Sequence, residues 1–306
     1  MKTLVIVNPV ASGGKAITDY ESQIAPILKE SLAGFDETFT KGPGDAWKIA
    51  SEASGYERVI SVGGDGTLNE IVNGLSKSGK SVPVIGIIGV GTGNDLMKTL
   101  RTPTKYEETV QIAVGENYVL SDILEVEYSG FDGVRKTRFA VNIVGMGLDA
   151  ATARRLNSYK RKSRGKAGYI RAFLVEFIKS RKFQMSIEND GIIHNGKYFI
   201  IAAGNGEYFG GGMRVCPGAV IDDGVMKVVE IGCRGKLHLL MNFPKIFSGT
   251  HLGVYGVNAY DSKSIYVESP SPVPIEMDGE VVGTLPIRIS VREKRLRIAS
   301  SVPSNS

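Results

Sequence analysis

Residues 63–70 read Gly63-Gly64-Asp65-Gly66-Thr67-Leu68-Asn69-Glu70, and their flanks leave few folds open. The run before them, Arg58-Val59-Ile60-Ser61-Val62, is short, β-branched and apolar, and reads as a buried strand. After them Leu68, Ile71, Val72 and Leu75 recur at helical spacing. A glycine turn between a buried strand and a helix is the signature of a parallel sheet covered by helices. It brings backbone N–H groups and a helix N-terminus close to a ligand, which suits phosphate. Asp65, in the middle of the turn, repels phosphate directly but suits a magnesium ion that binds phosphate.

The pattern repeats along the first 120 residues. Strands are expected at 4–7, 35–39, 58–62 and 84–88, with helices near 16–31, 45–53, from 68, from 95 and at 106–114. Three glycine-rich turns, 8–14, 63–67 and 89–94, each follow a strand. Ligands of such sheets sit at the carboxyl ends of the strands, so the three turns are expected to line one crevice. From about residue 119 the texture changes to short alternating segments, at 123–128, 138–144, 183–188, 197–203, 225–231, 264–267, 287–291 and 296–298. This predicts a mostly antiparallel second domain, a sandwich or barrel. Helical interruptions fall at 150–177, in pieces, and 236–247. The expected division is an α/β domain over 1–123, a β domain over 124–298 and a polar tail over 299–306.

Composition removes several classes. In 306 residues, no apolar run reaches the roughly 18 needed to span a bilayer. The N-terminal apolar stretch is too short for a signal peptide and reads as a first strand. Cys216 and Cys233 form no metal-type or redox-type pair, so a reduced, cytoplasmic protein is the default. His194, His238 and His251 are scattered and read as structural or surface residues. The net charge of +5 is concentrated. Arg154, Arg155, Lys160, Arg161, Lys162, Arg164, Lys166 and Arg171 crowd one stretch, which suits anionic lipid head groups or nucleic acid, or else is a solvated face.

Other motifs carry chemistry only conditionally. Asn8-Pro9-Val10-Ala11-Ser12-Gly13-Gly14-Lys15 is not a Walker A loop, because the first glycine is absent and Ala16 replaces the Ser or Thr. It still offers N–H groups and a lysine. Gly91-Thr92-Gly93-Asn94-Asp95 adds a second carboxylate on a small-residue turn. Gly145-Met146-Gly147-Leu148-Asp149-Ala150 matches GxGxxA, but no βαβ unit follows, and it reads as a turn. Asn205-Gly206-Glu207-Tyr208-Phe209-Gly210-Gly211-Gly212 approaches a ligand or simply turns. Asp222-Asp223-Gly224 reads as a hairpin turn or a cation site. Met277-Asp278-Gly279-Glu280 reads as a hairpin whose two carboxylates could supply a general base.

Taken together, Gly63 to Glu70, Asn8-Pro9 with Ser12-Gly13-Gly14, and Gly91 to Asp95 resemble the diacylglycerol kinase catalytic family. The bacterial soluble lipid kinases of the DagK and YegS type fit best. The resemblance runs nearly end to end and includes Gly145 to Ala150, Lys166-Ala167-Gly168-Tyr169, Asn205 to Gly212, Asp223-Gly224 and Asp278-Gly279-Glu280. It implies a Rossmann-like nucleotide domain related to NAD kinase and phosphofructokinase, a C-terminal antiparallel β-sandwich, and ATP in the cleft. By position it implies ATP contacts at Asn8, Pro9, Val10, Ala11, Ser12, Thr40, Gly64, Asp65, Gly66, Thr67, Leu68, Asn69, Glu70 and Thr92. Lys15 and Lys166 would meet phosphates. Asp65, Asp95 and Asp122 would act on catalytic Mg2+. Asp223, with the carbonyls of Val220 and Val225, would hold a structural Mg2+. Asp278 and Glu280 match the catalytic acidic element, with base and orienter unseparated. The departure is Gly89-Val90-Gly91, where the family often has a proline before the Gly-Thr pair.

The activity implied is ATP-dependent phosphorylation of diacylglycerol to phosphatidic acid, or of a related membrane lipid alcohol. The basic stretch 154–171 would hold the enzyme peripherally at an anionic, cytoplasmic membrane face. The resemblance also implies a homodimer. A kinase of a soluble substrate such as NAD is the alternative. A nucleic-acid-binding protein ranks last, because Tyr159 and Tyr169 are few for base stacking.

Overall fold

The computed structural model describes residues 1–77, 82–91, 93–158, 166–232 and 235–301, with only the backbone of Lys77 and Lys166. Thr92, Tyr159, Lys160, Arg161, Lys162, Arg164 and Cys233 lie outside the described residues, as does most of the tail. The chain divides into two units. The first comprises Met1–Asp122 with Lys294–Ser306, and the second Ile123–Glu293.

In the first unit β1 (Thr3–Val7) leads through a short 3-10 turn into α1 (Lys15–Asp19), a π-helical turn at Tyr20–Ile24 and α2 (Ala25–Ser31). Then come β2 (Asp36–Phe39), α3 (Asp45–Ser51), β3 (Arg58–Gly63), α4 (Asp65–Lys77), β4 (Val84–Gly89), α5 (Asp95–Thr99) and α6 (Tyr106–Val114). The strands are parallel in the order β2-β1-β3-β4, and Arg297 and Ile298 add to the free edge of β4. Every residue of β1 and β3 is buried, as a parallel sheet covered on both faces requires. Val5, Val7, Ile60 and Val62 meet Tyr20, Ile24, Leu28 and Val110 in one core. On α4, Gly74 lets α3 approach, since a Cβ there would collide with the Trp47 carbonyl and stand 2.8 Å from Ala50 Cβ. Arg58 opens β3 fully buried and donates to the carbonyls of Ala113 and Gly115 at the C-terminal end of α6, while burial pulls its pKa down.

The second unit begins within β5 (Tyr118–Gly130). It continues through β6 (Arg135–Ala140), β7 (Ile143–Gly147), α7 (Leu148–Ser158), α8 (Lys166–Lys179), β8 (Phe183–Asn189), β9 (Ile192–Tyr198) and β10 (Ile200–Gly204). After β11 (Tyr208–Phe209), β12 (Met213–Arg214) and β13 (Met226–Ile231) come α9 (Lys236–Asn242) and α10 (Lys245–Ser248). β14 (Val257–Ser262), β15 (Ser264–Glu268), β16 (Pro274–Met277) and the long β17 (Glu280–Ala299) complete it. One antiparallel run is β14-β13-β10-β7-β16-β17, and a second is β17-β15-β8-β9, with β5 beside β6 and β17. This is the antiparallel sandwich expected. Alternation on β7 and β10 divides its two faces. Val144, Met146, Ile201 and Ala203 fill the sandwich interior. Ile143, Ile200 and Ala202 face the helices, where Phe173, Phe177, Leu239 and Ile246 cover them.

Several readings change. Residues 287–291 and 296–298 are one strand, β17, and its end belongs to the first unit because Arg297 and Ile298 pair with Val84 and Ile85. Residue 299 is therefore strand, not tail, and Ser300 N–H still donates to Asn117 O at 3.1 Å. The expected strand 197–203 is two, β9 and β10. β8 turns into β9 at Asp190 (φ 49) and Gly191 (φ 78), both left-handed as a tight hairpin turn requires. Gly145 to Ala150 is no turn, because β7 passes directly into α7 at Leu148.

Candidate active site

The three glycine turns of the first unit meet at the carboxyl ends of β1, β3 and β4. Asn8 N–H donates to Val62 O at 2.9 Å, and Asn8 Nδ2 to Thr67 Oγ1 at 2.9 Å, joining the first turn to the second. Val90 N–H donates to Gly63 O at 2.9 Å, joining the third. Asp95 N–H donates to Asp65 Oδ1 at 2.9 Å. Glycine is required where these turns touch. A Cβ on Gly63 would stand 2.6 Å from Thr67 Oγ1, and one on Gly93 2.9 Å from Asp65 Oδ2. In the first turn Ser12, Gly13 and Gly14 are successively left-handed (φ 52, 74 and 95). The change of hand from Gly14 (φ 95) to Lys15 (φ −69) then forms a concave amide nest of the kind that accepts anions.

Within 63–70 the helix sorts the candidates. Gly64 O accepts from Thr67 and Leu68 N–H, so α4 starts at Asp65 rather than Leu68. Asp65 is half-buried and Gly66 exposed, at the positive end of the helix dipole. Leu68 and Asn69 are buried, and Asn69 Oδ1 accepts from Asn73. Glu70 caps another helix, its two oxygens accepting Gly44 N–H (2.8 Å) and Ala46 N–H (3.1 Å) at the start of α3. Thr40, buried just past β2, is held by its N–H on Val7 O. Pro9 and Ala11 are half-buried, and Val10 is exposed with its N–H on Asn8 Oδ1 at 3.3 Å. Lys15 is 71% exposed, and its ammonium lies 3.6 Å from Asp19.

Asp95 is buried, and Lys98 Nζ reaches it at 2.6 Å and Gly93 O at 2.7 Å. The sequence reading passed over Lys98, although it sits one helical turn from Asp95. Carboxylates at Asp65 and Asp95 beside amide donors are a donor set that fits magnesium, which takes one or two carboxylates plus phosphate oxygens and water. Asp122 is fully buried and accepts the N–H of Lys294 at 2.7 Å, where Lys294 is left-handed (φ 52). Among the described residues no three His, Cys, Asp or Glu groups gather as metal ligands.

In the second unit Asp278 and Glu280 part company. Asp278 is left-handed (φ 47), and its two oxygens take three peptide N–H groups: Val141 (2.8 Å), Asn142 (3.0 Å) and Ile143 (3.0 Å). It clasps the hairpin tip to the start of β7. Glu280 is 62% exposed and pairs with Arg138 at 3.0 Å. Asp223 is exposed and accepts Val225 N–H at 3.1 Å; Val220 is exposed. His194 pairs with Glu230, His251 is buried against Val215 O, and Cys216 is buried, its thiol pKa pushed up by burial. Tyr169 is buried edge-on against Phe209, not displayed for stacking.

Sequence reasoning missed a buried carboxylate pair. Gly145 on β7 is the register partner of Glu276 on β16. A Cβ on Gly145 would collide with Asp149 Oδ2 and stand 2.6 Å from Glu276 Oε1, so two carboxyl groups meet over a glycine. Both are buried. Glu276 Oε2 accepts Gly279 N–H at 2.7 Å in the Asp278 hairpin, while Oε1 has no hydrogen-bond partner among the described residues. Burial raises the pKa of Asp149 to about 7, and burial followed by the Asp149 charge raises that of Glu276 well above the carboxylate range. Asp149 also lines a narrow apolar pocket with Tyr169, Phe173, Met213, Leu239 and Phe243. Its cavity volume is about 40 Å³.

Residues 2–126 match the profile of the diacylglycerol kinase catalytic domain, and 142–300 that of the YegS C-terminal NAD kinase beta sandwich-like domain. The chain is 28% identical to a "Probable lipid kinase YegS-like" protein of Citrobacter koseri, over 96% of this chain and 94% of that one. It is 27% identical to a diacylglycerol kinase of Staphylococcus carnosus, over 92% and 89%. A diacylglycerol kinase structure from Bacillus anthracis superposes with a TM-score of 0.74 at 24% identity, covering 98% of this chain and 97% of that one. Yeast NADH kinase shares the fold more distantly, with a TM-score of 0.52 at 14% identity, covering 99% and 84%.

Proposed function

Because the chain belongs to the diacylglycerol kinase catalytic-domain family of the YegS type, we propose that it is a lipid kinase that transfers the γ-phosphoryl group of ATP to the hydroxyl of diacylglycerol or a related membrane lipid alcohol. The observation that carries this reading is the meeting of three glycine turns around Asp65 at the carboxyl ends of a parallel sheet. Phosphoryl transfer asks the protein for positioning and charge neutralisation more than for covalent chemistry. The nest at Gly14 and Lys15 and the N-terminus of α4 bind the phosphates. Asp65 and Asp95 would hold magnesium, which when bound neutralises phosphate charge. Lys98 orients Asp95.

Glu280 is the proposed proton acceptor for the lipid hydroxyl, since it is exposed and Asp278 is spent on three amides. Asp278 is then a positioning residue. The pocket of the second unit is lined almost entirely by aromatic and aliphatic side chains, which suits an alkyl chain better than a nucleotide. That favours a lipid over soluble NAD. The basic stretch supports attraction to an anionic surface, and no helix among the described residues is long and apolar enough to cross a membrane.

Labelled ATP with diacylglycerol in mixed micelles tests the reading. Magnesium-dependent labelling of the lipid is the expected result. Asp65→Asn should abolish it, by about a thousandfold, with an unchanged circular dichroism spectrum. Labelling of NAD and of no lipid would overturn the proposal.

A further inference from the structure

The two helices that wall the apolar pocket carry a second apolar face, turned to solvent. On α8, Phe173 and Phe177 point inward, and Phe173 stacks on Phe243 at 4.0 Å. One residue further on, at the same four-residue spacing, Leu174 and Ile178 point outward, and Ile178 is 74% exposed. On α9, Leu239 is buried, whereas Leu237 and Met241, one turn apart, are each 71% exposed, with Leu240 beside them. The helices adjoin: Lys236 Nζ at the start of α9 donates to Ile178 O at 2.5 Å. Five large apolar side chains are thus exposed on two adjoining helices, a concentration of apolar surface that marks an interaction site.

Its charge identifies the partner. Lys179 follows Ile178 and Lys236 precedes Leu237 along the chain, and Arg181 and Lys245 stand two and three residues beyond the ends of α8 and α9; all four are exposed. Residues 235–255 contain no acid, and Glu176, the only acid in 166–182, is ion-paired with Arg155. Apolar side chains rimmed by cations match the interface of an anionic bilayer.

We propose that the outer faces of α8 and α9 dock on an anionic lipid bilayer, setting the apolar pocket behind them within reach of membrane lipid. This rests on the lipid-kinase reading and places the docking contact on described helices rather than on charge alone. Cosedimentation of the full chain with phosphatidylcholine vesicles, with and without phosphatidylglycerol, tests it. Binding should require phosphatidylglycerol and weaken with salt. The variant L237E/M241E should bind at least about tenfold more weakly. Lys179→Ala and Lys245→Ala should each cost roughly fivefold.

Sedimentation velocity and a melting curve accompany each variant. Ile178→Glu, at the exposed end of α8, replaces the double variant if that fails to fold. Equal binding by variant and parent, equal binding to both vesicle types, or a parent dimer that L237E/M241E splits into monomers would each overturn docking. Phosphorylation of a dispersed short-chain diacylglycerol separates the two claims. Intact turnover without vesicle binding sinks the docking face alone. Vesicle binding without lipid phosphorylation sinks the kinase reading alone.

Discussion

The pair of carboxyl groups over Gly145 makes stability depend on pH in an unusual direction. In the unfolded chain Asp149 is an ordinary acid near 3.8; in the fold, burial holds its proton up to about 7. Between those values the folded chain keeps a proton that the unfolded chain has lost. The contribution of this group therefore falls as pH rises through the window and levels off above about 7. The full rise corresponds to about 4 kcal/mol. Asp149→Asn isolates the effect. It retains an oxygen for the Ala150 N–H, now 2.8 Å away, and imitates the protonated acid toward Glu276. At pH 4 variant and parent should differ by less than about 1 kcal/mol. By pH 8 the variant should be more stable by up to about 4 kcal/mol, on the order of 6 °C in Tm for a chain this long. Urea unfolding from pH 4 to pH 8 measures it. A stability difference that stays constant with pH, or that grows toward acid, would refute the protonated pair.

Gly145→Ala should cost about 3 kcal/mol or more, seen as a fallen midpoint in urea, because the new methyl meets both carboxyl groups. Asp278→Ala strands three amides and should lose about 3 kcal/mol in the same assay. Glu280→Gln, by contrast, should leave the midpoint within about 0.5 kcal/mol while lowering lipid-kinase turnover by at least about a hundredfold. Glu70→Ala should destabilise by about 1–2 kcal/mol through the start of α3, with faster amide exchange at Gly44 and Ala46 as the readout.

The turns of the first unit were legible because each is local: apolar strand, small residues, helix. Their convergence followed from parallel topology, since β1, β3 and β4 all end on the same side. What a turn residue does was less legible. Glu70 lies within the best motif of the chain and caps α3, because the helix starts early and turns its sixth position toward a neighbour. Asp278 and Glu280 looked equivalent two residues apart; a left-handed φ at Asp278 aims one carboxylate back at the β7 amides and leaves the other outside. The Asp149–Glu276 pair was invisible, since its members are distant in sequence. Only the β7–β16 register, with a glycine opposite Glu276, together with the immediate start of α7, brings them together. The outer face of α9 was hidden for another reason. In Leu237-His238-Leu239-Leu240-Met241 apolar residues lie on both sides of the helix, so periodicity could not say which side is covered.

The sheet of the first unit takes its last strand from the far end of the chain. Asp122, where the chain departs, grips the amide of Lys294, where it comes back, and Arg297 and Ile298 then close the edge at β4. During synthesis this reverses the usual order. The ribosome delivers β1 to β4 first, yet their sheet stays open at one edge until the whole intervening unit has emerged. At ordinary translation speeds that is a delay of roughly 10–35 s. The nascent chain spends that interval with an exposed strand edge, the element most prone to pairing with a neighbour. A ribosome-associated chaperone would find its target there, around Val84 to Gly89, and truncations that stop short of residue 297 should aggregate even though every glycine turn is already made.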